Sequence, residues 1–463
     1  MSLMRYFTVF QKVNECVAVY RKSRALFTVL PLFLLYSLFP LKGYGQVLSL
    51  EQALQLAIQH DPQLKGNAYR EQGFNAQSDA AAYWENPQIS ASVQNIPTDG
   101  FAVDQEPMTQ FKVGLKQQLP RGDENVYTQQ KYKVMGKSVS IENQARKAWL
   151  KKEVTLTWLN WFYASRRITL LDKEKALLTQ LLDFANSSYS QGVSSTVQQD
   201  ILKVRLALLS LDDKYVQAYQ QQSEAKAALS KWYGAPLEES LSVPSTIDLS
   251  AILQNHKGNL STFLNFIDSA EPFTILQHHP EAMLLQFQTQ IEAQNVNIAR
   301  EQTKSRWAFE ASYGYRQDDE NGVSRADFVS LGVQVDLPFF NQSRQDATIS
   351  AAASKMSASE TDFRLKVNEL ASKADVLKTR LSGLSERKTL YESALIGETE
   401  QLSEAELTAY TSDTADITDV VNANLMLVKV QDDLLNIDVE RAKTFAELAY
   451  LYLPSHINLS SKE

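Results

Sequence analysis

Cysteine is almost absent from this chain: Cys16 is the one thiol in 463 residues. That excludes a disulfide framework and a thiolate metal site. Glycine (16) and proline (13) are scarce, which rules out collagen-like and low-complexity classes. After residue 45 no apolar run reaches helix-spanning length, so any membrane crossing by the rest of the chain falls to strands. Basic residues are outnumbered, 46 Lys and Arg against 54 Asp and Glu, which argues against nucleic acid as a partner. The five histidines, His60, His256, His278, His279 and His456, show no ligand spacing with carboxylates in support. No acid, base and nucleophile cluster stands out either. The expectation is a protein with no catalytic residue, no metal ligand set and no cofactor. His278-His279 before Pro280 reads as the start of a helix, Met283 and Met426 form no soft-metal ladder, and Trp158 and Trp161 read as helix packing.

What is present begins with a targeting pattern. Arg21, Lys22 and Arg24 precede an apolar run from Ala25 to Leu41 and the small-residue site Gly43-Tyr44-Gly45. This predicts a secretory signal over 1–45 with cleavage before Gln46. A membrane anchor is the alternative, weakened by Pro31 and Pro40 within a short run. Cleavage discards Cys16 together with six bases (Arg5, Lys12, Arg21, Lys22, Arg24, Lys42) and Glu15, taking the net charge from −8 to −13.

The remainder carries one plan twice. His60-Asp61-Pro62 returns as His278-His279-Pro280, and Gly114-Leu115 with Leu119-Pro120 returns as Gly332-Val333 with Leu337-Pro338, both at an offset of 218. Tyr189 returns as Tyr410 at 221. Landmarks in one order at one spacing mean tandem duplication. The first repeat is predicted over 46–233, with a β-hairpin at about 88–119 and a helical hairpin whose tip lies at about 187–196. An irregular connector spans 234–270. The second repeat covers 271–453, with its β-hairpin at about 309–337 and its tip at about 410–417, and 454–463 is a tail. The long helical stretches, roughly 121–186 and 341–409, would each be on the order of 100 Å long. Leu150, Thr157, Ala164 and Leu171 repeat every seven residues, as do Val154, Trp161 and Ile168, the spacing of supercoiled helices.

Four segments alternate with period two. Ile89, Ala91 and Val93 face away from Ser90, Ser92 and Gln94. Phe111, Val113 and Leu115 alternate with Lys112, Gly114 and Lys116. Phe309, Ala311, Tyr313 and Tyr315 alternate with Glu310, Ser312, Gly314 and Arg316. Val329, Leu331, Val333 and Val335 alternate with Ser330, Gly332, Gln334 and Asp336. Eight or nine residues approach the length of a tilted membrane strand, and the alternation suits a wall between lipid and a wet lumen. A soluble sheet with one dry face is the competing reading, and the secretion pattern and the charges Lys112, Lys116, Glu310, Arg316 and Asp336 weigh against it. Two hairpins cannot close a barrel, so the chain must oligomerise. A dimer would give eight strands and a plugged interior, a trimer twelve and a channel.

Over nearly all of residues 48–453 the sequence resembles the TolC-like outer-membrane efflux family. Leu48-Ser49-Leu50-Glu51-Gln52-Ala53 through His60-Asp61-Pro62 looks like the family's opening helices. Tyr189-Ser190-Gln191-Gly192-Val193-Ser194-Ser195 followed by Asp200-Ile201-Leu202 is similar to its periplasmic helix-turn-helix tip. Asp336-Leu337-Pro338-Phe339-Phe340-Asn341 resembles the strand exit of its heavy-metal branch, the CusC/CzcC-like channels. The resemblance implies a mainly α protein with a transmembrane β part. Long coiled-coil hairpins would form a periplasmic tunnel, and four strands per chain would enter a shared trimeric 12-stranded barrel. It implies a homotrimer in outer-membrane lipid, docked through a periplasmic adaptor to an inner-membrane pump of the RND type. Tyr189, Gly192, Val193, Ser194, Ser195, Tyr410 and Asp413 would meet the adaptor. Asp413 stands where the first tip has Gly192, so the second tip is expected to turn differently.

The tips are also one-signed. No Lys or Arg lies between Lys388 and Lys429, where eight acids occur, or between Lys175 and Lys203. Asp413, Asp416, Asp419 and Asp200 are therefore the candidate periplasmic-gate and cation-selectivity residues, in keeping with the aspartate rings of TolC-like channels. The competing function is a periplasmic adaptor or other coiled-coil envelope protein without a channel. It fits less well, because adaptors carry one hairpin and glycine-rich lipoyl-like strands.

Overall fold

The structure, a computed structural model, describes residues 47–190, 197–234, 241–248, 252, 260–269, 271–412 and 414–452. The expected signal over 1–45, the tail 454–463, Asp413 and the first tip's Gly192, Val193, Ser194 and Ser195 lie outside the described residues. Two short helices, α1 (Leu50–His60) and α2 (Pro62–Ala81), lead into strands β1 (Gln88–Gln94) and β2 (Gln110–Gln118). The 67-residue helix α3 (Glu124–Ser190) and its return α4 (Val197–Tyr233) follow. The second half runs α5 (Leu260–Ser269), α6 (Pro272–Leu276), α7 (Pro280–Glu301), β3 (Trp307–Tyr315) and β4 (Phe328–Val335). A 3₁₀ turn at Pro338–Asn341 opens α8 (Gln342–Leu390). A π-helical turn at Tyr391–Leu395 then joins α8 to α9 (Ile396–Thr411), before the return helix α10 (Ile417–Leu451). None of the described helices is long and apolar enough to cross a membrane.

Local chemistry fixes the helix starts. The Ser49 hydroxyl accepts from the Gln52 N–H, and the Gln52 side chain accepts from the Ser49 N–H, a reciprocal cap. Asp61 caps α2 by accepting from Leu64 N at 3.0 Å, with Pro62 in the first helical position. At the corresponding place in the second half, His279 caps α7: its Nδ1 accepts from Glu281 N and its Nε2 donates to the Tyr450 carbonyl. Burial holds the His279 pKa below its ordinary value, consistent with a neutral ring whose proton is on Nε2.

Three apolar clusters follow one another along α3 and, in reverse, along α10. Trp158 and Trp161 are fully buried in the middle cluster with Leu50, Ala53, Leu229 and Val439, and the Trp158 indole donates to the Leu48 carbonyl. Ile168, Leu171, Leu178 and Leu181 pack against Val204, Leu211 and the start of α10. The third cluster differs from the sequence expectation. The connector expected to be irregular contains α5, whose Phe263 and Ile267, one turn apart, are buried with Leu377, Leu381 and Tyr452. Asn255, Gly258 and Asn259 punctuate the sequence just before it, and the i, i+4 apolar pair outweighs that signal.

One seam position carries a carboxylate. Along α3 the buried series Leu171, Leu178, Leu181 and Ala185 has three- and four-residue steps, and Glu174 occupies the step between Leu171 and Leu178. Its side chain is 4% exposed, and Oε1 has no hydrogen-bond partner. Burial pushes its pKa up to about 6, against the opposing pull of Lys214. A carboxyl raised in the folded state stabilises while protonated, and that contribution is lost as pH rises from the ordinary carboxylate range through about 6. Glu174→Gln should therefore gain about 2 kcal/mol at pH 7.5 and almost nothing at pH 4. Unfolding followed by circular dichroism at both pH values checks this, and an equal effect at both would assign the change to packing alone.

Candidate functional site: the sheet and the helical tips

The four strands form one antiparallel sheet in the order β1-β2-β3-β4. The register stacks like with like. Ile89, Leu115, Ala311 and Leu331 align across the sheet, as do Ala91, Val113, Tyr313 and Val329. On the other face Ser90, Gly114, Ser312 and Ser330 align, flanked by the row Gln88, Lys116, Glu310 and Gly332. A water-soluble sheet would bury the first set. Here it is open: Leu331 is 83% exposed, Ile89 78% and Val329 76%. On the polar face Gly114 and Ser312 of the central strands are buried, and Ser90 and Ser330 of the outer strands are exposed. Trp307 and Phe309 stand at the helix end of this apolar face, and Phe111, Tyr313 and Tyr315 at its loop end. Trp307 to Tyr315 spans about 27 Å along the strand. An apolar band between two aromatic rows is the surface that lipid selects. Among the described residues β1 and β4 each pair on one side alone.

The charges expected to line the polar face are largely paired. Lys112 lies 3.9 Å from Glu310, and Lys116 donates to Gln334 at 2.6 Å. Arg316 sits just past β3 and serves as a loop fastener: it donates to the Ala326 and Pro107 carbonyls and stacks over the Phe328 ring at 4.0 Å. Asp336 follows β4 and pairs with Arg121 at 2.7 Å, at the border between sheet and helices. Gly122 makes that border possible. Its backbone has φ +48°, and a Cβ there would run into Glu301 Oε2, which accepts from Asp123 N at 2.7 Å.

At the far end of the long helices the two hairpins meet side by side. Phe184 of α3 packs edge-on against Tyr410 of α9, ring centres 5.7 Å apart. The acids there are not free of bases as the sequence spacing suggested. Lys203 of α4 reaches Asp416 at 3.1 Å and Asp200 at 3.6 Å, across 213 positions in the first case. Asp416 caps α10 by accepting from the Thr418 N–H and hydroxyl. These bonds, with Lys203, hold its carboxyl down to about 2. Asp200 is buried, and burial followed by the nearby Asp416 charge pushes its carboxyl up. Asp419 is exposed in the first turn of α10. Of the four candidate acids, Asp416 and Asp200 thus share one base, which corrects the reading of an unopposed acidic ring. Lys203 is the residue that sequence reasoning missed, because only the fold brings it to the second tip.

A second tie joins the hairpins further along. Tyr163 of α3 donates to Asp432 of α10 at 3.1 Å, and Arg167 lies 3.3 Å from the same carboxylate. Burial, then Asp432, raises the Tyr163 phenol to about 12, so it remains a donor.

No family model and no curated protein matches this chain. Solved structures do. CusC, studied for its folding and transmembrane channel formation, matches with a TM-score of 0.72 at 16% identity, covering 90% of this chain and 95% of that one. The outer membrane protein VceC of Vibrio cholerae matches at 0.69 and 15%, over 87% of this chain and 96% of its own. The MtrE outer membrane channel of Neisseria gonorrhoeae, in an open state, matches at 0.66 and 14%, over 87% and 88%. At these identities the likeness is one of fold.

Proposed function

We propose that this chain, which has the fold of the TolC-like outer-membrane channels, is the outer-membrane component of a tripartite efflux system. It is a passive, gated conduit and not an enzyme. The observation that carries the reading is the sheet's apolar, aromatic-bordered face, which lies open on all four strands and packs into no core. Two unpaired edges in such a sheet call for a closed barrel, because lipid cannot satisfy a bare backbone edge. Three copies would give twelve strands, with residues 46–233 and 271–453 as two repeats in each chain. The helical hairpins would extend into the periplasm, with the tips around Tyr189 and Tyr410 meeting an adaptor and, through it, an inner-membrane pump. The acidic tips favour cationic cargo, metal ions or small molecules, which agrees with the resemblance to the heavy-metal branch. The test is mass and conductance of the purified protein. The expected result is a trimer that dissociates on heating and forms single channels in planar bilayers. A stable folded monomer without conductance would overturn the reading.

The tip electrostatics give a separate expectation. Lys203→Gln removes the base shared by Asp200 and Asp416, so the reversal potential in a salt gradient should move toward stronger cation preference. Asp416→Asn with Asp419→Asn should move it the other way. Unchanged potentials in both variants would place the selectivity-setting charges away from the tips.

A further inference from the structure

A cavity of about 360 Å³ lies away from both sheet and tips, where α3, α8, α10 and residues 245–247 of the connector come together. Its polar lining is rich in donors that have no partners. Among the described residues, half-buried Arg166 makes no hydrogen bond or ion pair, and the exposed Ser245 and Thr246 side chains make no hydrogen bond. Arg441 Nε is buried without a partner, and Arg441 reaches Asp438 only at 3.7 Å through Nη1. Lys388 is already engaged, by Asp438 at 2.5 Å and Glu392 at 2.8 Å. Two guanidinium groups and two hydroxyls therefore converge on one space with a single carboxylate, itself shared, to answer them. Arg146, Arg121 and Arg306 each donate to a carboxylate, whereas Arg167 Nε, next to Arg166 on α3, is like Arg441 Nε in being buried without a hydrogen-bond partner. Arg441 Nε is the one of these donors that is buried without an acceptor, which is unfavourable, and an acceptor from outside the chain would satisfy it.

The remaining wall is apolar: Phe162, Ile247, Leu435 and Ala442. A bare inorganic anion would leave that wall uncovered, whereas an acid with a hydrocarbon body would cover it. We propose that this cavity binds a small organic carboxylate. Arg166 and Arg441 grip the carboxylate, Ser245 and Thr246 donate to it, and its apolar body lies on Phe162, Ile247 and Leu435. Planar guanidinium groups match a carboxylate in geometry as well as in charge. The occupant would bridge four segments of the chain, next to the π-helical turn that begins three residues after Lys388.

The test is calorimetric titration of the full-length protein in a non-ionic detergent, with hexanoate as the probe and hexanol and inorganic phosphate as controls. Hexanoate should bind saturably, hexanol not at all, and phosphate at least tenfold more weakly. Arg166→Gln should weaken hexanoate at least tenfold. Asp438→Asn should tighten it several-fold, since it removes the one carboxylate that competes for Arg441. That gain is an effect misfolding does not produce. Absence of saturable hexanoate binding would overturn the site, as would equal binding of hexanol. Phosphate binding as tightly as hexanoate would overturn the assignment to an organic acid, and a hexanoate affinity indifferent to both substitutions would place its binding elsewhere.

Discussion

Leu331→Arg should abolish recovery of the assembled protein from the outer-membrane fraction, while Ser330→Arg, one residue earlier, should leave assembly near normal. The two positions differ in face and hardly at all in height. Leu331 aligns with Ala311 and, through it, with Leu115 and Ile89 in the open apolar face. Ser330 aligns with Ser312 and Gly114 in the polar one. If the apolar face meets lipid, a guanidinium near its middle costs about 2–4 kcal/mol per chain, whereas one on the opposite face stays hydrated. Threefold repetition in an oligomer multiplies the penalty. A soluble sheet would be indifferent to Leu331→Arg or improved by it, because the substitution would replace an exposed leucine by a charge. Normal recovery of Leu331→Arg in membranes would show that this face does not meet lipid, and the channel reading would fall with it.

The sheet and the long hairpins were legible because their signals are local and repeated. Period-two alternation in Val329–Val335 and heptad steps from Leu150 to Leu171 each report a neighbour within a few residues, and the 218-residue offset presents each signal twice. The features that escaped depend on partners remote in the chain. Lys203 and Asp416 sit in different halves, and each alone looks like a solvated surface charge. Asp336 looks like a lumen charge in the sequence, and its pairing with Arg121, which follows the other β-hairpin, is visible only in the fold. Glu174 escaped for another reason. Heptad reading tolerates one polar residue in a series, and nothing around position 174 announces that it faces inward. The π-helical turn at Tyr391–Leu395 has no proline or glycine to mark it, and one extra residue in a helical turn leaves little trace in composition.

Replacing Arg146 should destabilise the helical region by about 3–5 kcal/mol, the cost of stranding a buried charge. Asp61 is 5% exposed and does two things at once. One carboxylate oxygen caps α2 through the Leu64 N–H; the other accepts from Arg146 Nε at 3.1 Å and Nη2 at 2.6 Å. Arg146 in turn lies 4.6 Å over the Trp149 ring, which fixes its plane. Arg146→Leu keeps most of the side-chain volume and leaves Asp61 charged, enclosed and without its base. Asp61→Asn alone should be milder, near 1 kcal/mol, because asparagine still caps and the freed guanidinium is partly exposed. The double variant should recover most of the loss caused by Arg146→Leu, since no unpaired charge then remains inside. The second half of the chain already works this way: neutral His279 caps α7 and hands its other nitrogen to the Tyr450 carbonyl. Denaturant unfolding of the four proteins, monitored by helical circular dichroism, gives the cycle. A double variant no more stable than Arg146→Leu would mean that the arginine acts by packing on Trp149, and that the charge of Asp61 is met by something other than Arg146.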